Sequence, residues 1–125
     1  MSKVFIVSAK RTAIGSFLGS LSTVHPSEFG SVVVKNILDE TKVPADKIDE
    51  VVVGNILPAG LGQGVGRQVS IKAGIPAEVP AYGINMVCGS GMKTLMTAYA
   101  NIKAGLHNMV IVGGVEAMSQ APYIV

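Results

Sequence analysis

The sequence predicts a layered α/β half-fold of βαβαβαβ order, a mostly parallel sheet with helices on both faces. Three features predict it. β-prone runs without polar alternation occur at residues 4–8, 51–57 and 109–112, and unalternated runs mark strands buried on both faces. Between them apolar residues recur at spacings of three and four, as on helices packed by one face. Gly, Pro or charged residues bound each run, so strand and helix alternate along the chain, the order that builds a parallel sheet covered by helices.

In chain order, residues 4–8 supply the first strand. The first helix starts at Pro26, because proline is tolerated at the first helical position, and Glu28 stands where the acidic partner of a capping arrangement would. Phe29, Val32, Val33 and Ile37 then share a face, and Pro44 marks the end. Residues 51–57 are the second strand. The stretch from Pro58 to Gly66 is too rich in glycine for a regular element, and a short helix over 67–73 follows before Gly74 stops it. A third strand falls over 81–86. The last helix begins at or near Cys88, carries Met92, Leu95, Met96, Tyr99 and Ile102 at helical spacing, and ends on Lys103 and Gly105. Residues 109–115 are the fourth strand, and an irregular tail follows.

Composition narrows the functional classes. At 125 residues the chain has room for one domain, and 49% hydrophobic content with 14% charged residues excludes disorder driven by charge. Ten Lys and Arg against eight Asp and Glu leave a scattered net charge of +2, so neither a nucleic acid nor an anionic membrane is an expected partner. The longest uncharged run, between Glu50 and Arg67, is broken by Pro58 and by glycines and is too short for a bilayer. The apolar stretch 4–7 is shorter than the core of a secretory signal, and the single cysteine fits a reducing compartment, so a cytosolic address is expected. A mean hydropathy of +0.50 is high for a free-standing domain of this size and points to surfaces that are covered by a partner.

Cys88 is the residue that invites chemistry. An unpaired cysteine is most often a small core residue. This one stands between an expected strand and an expected helix and is followed by Gly89-Ser90-Gly91. That position sets the sulfur beside unpaired N–H groups at a helix N-terminus, which favours a thiolate, and the glycines leave room for a substrate. The same N–H groups could receive an oxyanion. A hydrolase elbow needs glycine on both flanks of the nucleophile at a spacing of two, where this chain has Met86 and Ser90. A papain-like pair needs a histidine, yet His107 lies at the far end of the helix, about 25 Å away, and His25 next to Pro26 reads as a cap. Gly60, Gly62, Gly64 and Gly66 satisfy neither the dinucleotide fingerprint nor a Walker loop and read as a tight loop at a packed interface.

Four blocks, taken together, resemble the thiolases, most closely their short-chain acetyl-CoA acetyltransferase branch. They are residues 9–17 (Ala-Lys-Arg-Thr-Ala-Ile-Gly-Ser-Phe), Gly62-Gln63-Gly64 with Ala73-Gly74-Ile75-Pro76, residues 85–93 (Asn-Met-Val-Cys-Gly-Ser-Gly-Met-Lys), and residues 113–119 (Gly-Gly-Val-Glu-Ala-Met-Ser). They occur in order and span essentially the whole chain. The resemblance implies that Cys88 takes an acyl group from acyl-CoA as a thioester and passes it to the enolate of a second acetyl-CoA, with the Cys88 N–H in the oxyanion site. It implies acyl-CoA as substrate and no resident cofactor or metal. It implies further that residues 1–118 are an N-terminal half-domain, that 119–125 begin a CoA-binding insertion, and that a C-terminal half supplies the remaining groups. Those are a histidine in Gly-His-Pro, an asparagine in Asn-Glu-Ala and a second cysteine in Cys-any-Gly, none of which occurs in these 125 residues. Subunits would pair through the third strand, 81–86, as a homo-oligomer. A β-ketoacyl synthase fits less well, because Gly89-Ser90-Gly91-Met92 replaces the serine-rich run expected there. A non-catalytic half-domain acting as an interaction module is the competing reading.

Overall fold

The structure, a computed structural model, describes residues 3–125. Its elements run α1 (Pro26–Thr41), β1 (Glu50–Gly54), α2 (Val65–Lys72), β2 (Ala81–Ile84), α3 (Ser90–Lys103) and β3 (Val110–Gly114), with single 3₁₀ turns at Ala45–Lys47 and Met118–Gln120. The three strands are parallel in the order β2-β1-β3, with Val52 opposite both Tyr82 and Val112. β1 is central and buried along its whole length, as its unbroken Val51-Val52-Val53 run requires. Val51 and Val53 pack with Val34 of α1, Val69 of α2 and Ile111. Side chains alternate along a strand, so Glu50 and Gly54 face the other way, and there they meet α3: Asn101 donates to Glu50 at 3.3 Å, and Gly54 abuts Ser90. Helices therefore cover both faces of the sheet.

The first expected strand does not form. Residues 4–8 have no ladder partner among the described residues, and Phe5, Ile6 and Val7 are 72–75% exposed. A cavity of about 730 Å³ is lined by residues of the 6–17 segment on one side and by β3 with residues 115–119 on the other. A backbone becomes a strand only when a neighbour stands within about 5 Å to take its hydrogen bonds. None stands there. The segment is tied down elsewhere instead: Ser8 and Lys10 both reach the Glu40 carboxylate, at 3.1 and 2.8 Å, and the Leu18 N–H donates to Ser119 Oγ at 2.8 Å.

The remaining elements lie within a few residues of expectation. α1 begins at Pro26 with His25 as its cap, Nδ1 accepting the Ser27 N–H at 3.1 Å. Glu28 does not complete that cap. Its carboxylate pairs with Lys72 of α2, which holds it below the usual carboxylate range and links two helices that share one core. α3 departs more informatively. Its buried face is Ser90, Thr94 and Ala98, and its large apolar stripe points outward, with Met92 63%, Met96 54% and Tyr99 54% exposed. Small residues let α3 lie close on the sheet. Thr94 Oγ1 donates to the Gly91 carbonyl at 2.7 Å. Among the described residues no helix is long and apolar enough to cross a membrane.

Candidate active site

Parallel strands deliver all their C-terminal loops to one edge, the place where open α/β sheets bind ligands. Here Gly54, Ile84 and Gly114 end side by side. Beyond Ile84 the chain turns through residues 85–89 into α3. Val87 sits in that turn at φ 50°, a left-handed conformation that costs an L-residue roughly 1–2 kcal/mol and that β-branching makes rarer still. Side chains grip the peptides around it. Asn85 Oδ1 accepts the Val87 N–H at 3.0 Å, Ser90 Oγ accepts the Met86 N–H at 2.9 Å, and the Ser90 hydroxyl donates to the Val87 carbonyl at 2.6 Å. The Ser90 N–H reaches the same carbonyl at 3.1 Å.

Cys88 follows immediately and is exposed. It is therefore not the buried structural thiol that a lone cysteine most often is. α3 opens two residues later, after Gly89. The backbone N–H groups of Cys88, Gly91 and Met92 meet no backbone acceptor among the described residues. A side chain at Gly91 would stand in open space, at the cavity that faces residues 6–17 and β3. An exposed thiol beside open N–H groups can attack an electrophilic carbonyl while the donors take the oxygen's developing charge.

One contact ties this turn to the exit of β1, and a second set ties that exit to the segment beyond β3. Asn85 Nδ2 donates to the Ile56 carbonyl at 3.2 Å. Glu116, beyond β3, accepts the Ile56 and Leu57 N–H groups at 2.8 and 3.2 Å and the Asn55 amide at 3.1 Å. A small pocket of about 280 Å³ opens beside the turn, lined by Asn55, Pro58, Gly64, Val65, Ile84 and Asn85. Gly60, Gly62 and Gly64 all hold positive φ, which accounts for the glycine run as a tight loop. The staple by Glu116 and the left-handed Val87 are not legible from composition or spacing. The signal that could have pointed to Glu116 is its isolation, a single carboxylate just past an uncharged strand.

Neither histidine joins Cys88. His25 is occupied as a cap and through Nε2, 3.2 Å from the Leu61 carbonyl. His107 Nε2 stands 3.5 Å from Glu50 at the opposite edge of the sheet. There burial and the Glu50 carboxylate push the Tyr82 hydroxyl above its ordinary value. No cluster of potential metal ligands occurs among the described residues.

The family profile described as thiolase, N-terminal domain, matches residues 4–125. The chain belongs to the thiolase family. Among curated thiolase relatives, it is 49% identical over 121 residues to the cytosolic acetyl-CoA acetyltransferase of Mus musculus, covering 97% of this chain and 30% of that protein. It is 49% identical over 124 residues to the acetyl-CoA acetyltransferase of Cupriavidus necator, covering 99% and 32%. It is 46% identical over 124 residues to the mitochondrial acetyl-CoA acetyltransferase of Danio rerio, covering 99% and 30%. A solved thiolase, Acat5 from Ascaris suum in complex with coenzyme A, superposes with a TM-score of 0.89 at 39% identity, over 92% of this chain and 30% of that one. This thiolase chain thus spans about a third of the length of the relatives it matches.

Proposed function

We propose that this chain carries the acyl-accepting cysteine of an acetyl-CoA acetyltransferase. The carrying observation is Cys88, exposed on a clamped turn beside open N–H groups at the C-terminal edge of the sheet. Cys88 Sγ, having given its proton to solvent, attacks the thioester carbon of acyl-CoA. A new C–S bond forms to Cys88, the C–S bond to CoA breaks, and CoA leaves as a thiolate that takes up a proton. The enolate carbon of a second acetyl-CoA then attacks the acetyl-Cys88 thioester: a C–C bond forms, the C–S bond to Cys88 breaks, the sulfur leaves as a thiolate and acetoacetyl-CoA is released, and the same steps run backwards on thiolysis. Support comes from the family match and from relatives named acetyl-CoA acetyltransferase. Coenzyme A is bound by the Ascaris suum thiolase, and acyl-CoA is the substrate proposed here, with no resident cofactor.

The family resemblance assigns the remaining catalytic groups to Gly-His-Pro, Asn-Glu-Ala and Cys-any-Gly motifs that do not occur in these 125 residues, so the polypeptide by itself is proposed to accept an acyl group without completing the condensation. The assembly proposed is a homo-oligomer paired through β2. That strand is an edge of the sheet, bonded only to β1 among the described residues. A cytosolic setting is also proposed, with support from the cytosolic mouse relative.

Incubation with acetyl-CoA followed by intact-mass measurement tests the assignment. The expected result is one added acetyl group, absent in C88S and removed by hydroxylamine. An unmodified wild-type chain whose Cys88 is nevertheless labelled by iodoacetamide would sink it and leave the non-catalytic interaction module, which the outward apolar stripe of α3 favours.

A further inference from the structure

We infer that Ser90 and Asn85 are positioning residues, which aim the Cys88 N–H by gripping the peptide groups on either side of Val87. The inference rests on the reading of Cys88 as acyl acceptor and deepens it. The Val87 carbonyl and the Cys88 N–H belong to one planar trans peptide, so they point in opposite directions. Whatever fixes the carbonyl fixes the N–H. The carbonyl is held by two donors of one residue, the Ser90 hydroxyl at 2.6 Å and the Ser90 N–H at 3.1 Å. The Cys88 N–H, at the other end of that peptide, meets no acceptor among the described residues and is left for a substrate oxygen.

Val87 would not stay left-handed unaided, since a β-branched residue at φ 50° relaxes unless its neighbours prevent it. Asn85 prevents rotation at the Val87 N–H, and its amide is anchored in turn on the Ile56 carbonyl beyond β1. Ser90 is anchored by packing. It is 4% exposed and lies so close to Gly54 that a Cβ there would come within 2.9 Å of Ser90 Cβ. The clamp therefore spans two strands and the start of α3, and its free product is one aimed donor.

Two reactions of the same sulfur separate this role from a merely structural one. Alkylation by iodoacetamide occurs at a saturated carbon and develops no oxyanion, so it reads the thiol alone. Acetylation by acetyl-CoA develops charge on a carbonyl oxygen and reads the N–H as well. In S90A the ratio of acetylation rate to alkylation rate is expected to fall about tenfold or more, against the 10²- to 10³-fold typical of removing an oxyanion donor outright. S90T keeps the hydroxyl and is expected to keep the ratio, and N85A lowers it by a smaller factor. An unchanged ratio in folded S90A, or in N85A should S90A fail to fold, overturns the inference. If the wild-type chain is alkylated yet never acetylated, the acyl-acceptor reading fails separately. Amide exchange then decides the clamp: faster exchange at Met86 and Val87 in S90A supports it, and exchange at the wild-type rate refutes it.

Discussion

Asp49 shows how one carboxylate ties the fold to pH. It accepts the N–H groups of Asn108 and Met109 at 2.7 and 2.9 Å, just ahead of β3, and these bonds hold its carboxyl below the ordinary value. A depressed folded-state value means that the stabilisation is present above the unfolded value of about 3.9 and is lost as pH falls through the lower folded value. Melting of wild type and D49N across pH 2 to 7 should therefore show the variant less stable at neutral pH, with the gap closing below about pH 4. Equal gaps at all pH values would remove Asp49 from the account. The place of Cys88, exposed on the turn between β2 and α3, was legible at this scale because glycine, serine and glycine follow a single cysteine between two readable elements. Val87 was not, since nothing in a valine announces a left-handed backbone. That conformation comes from Asn85 and Ser90 acting together, and each looks like an ordinary turn residue alone.

Among the elements, β1 and α3 meet through a close backbone approach at Gly54. A Cβ on Gly54 would fall 2.8 Å from the Ser90 carbonyl carbon and 2.9 Å from the Gly91 nitrogen. G54A is thus expected to push the start of α3 off the sheet and cost about 1–3 kcal/mol, read as a lower urea midpoint at an unchanged slope. A midpoint equal to wild type would mean that the contact is loose. The core strands were readable because burial on both faces leaves Val51-Val52-Val53 no polar position. Residues 4–8 carry the same signature and form no strand, since β propensity describes what a residue tolerates while pairing depends on a neighbour. The stripe on α3 misled in another way. Periodicity shows that a helix has an apolar side but not which surface receives it, and the side facing this sheet is the small one, Ser90, Thr94 and Ala98.

For the whole molecule, the high hydropathy has a location. Met92, Met96 and Tyr99 lie open on α3, Phe5, Ile6, Val7, Ile14 and Phe17 lie open on the N-terminal segment, and β2 presents a free edge. Apolar surface on this scale together with unpaired backbone drives association. Sedimentation over a hundredfold dilution is expected to show assemblies that dissociate. A monomer at every concentration would refute the expectation.

The cavity between the 6–17 segment and β3 also divides the molecule into parts of unequal durability. Opening the N-terminal segment breaks the two contacts to Glu40 and a few hydrogen bonds, whereas opening β1 breaks ladders on both sides. Brief opening of the first is therefore frequent under conditions where the second stays closed. Trypsin should cut after Lys10 or Arg11 long before it reaches the sheet, leaving a truncated product that still melts cooperatively.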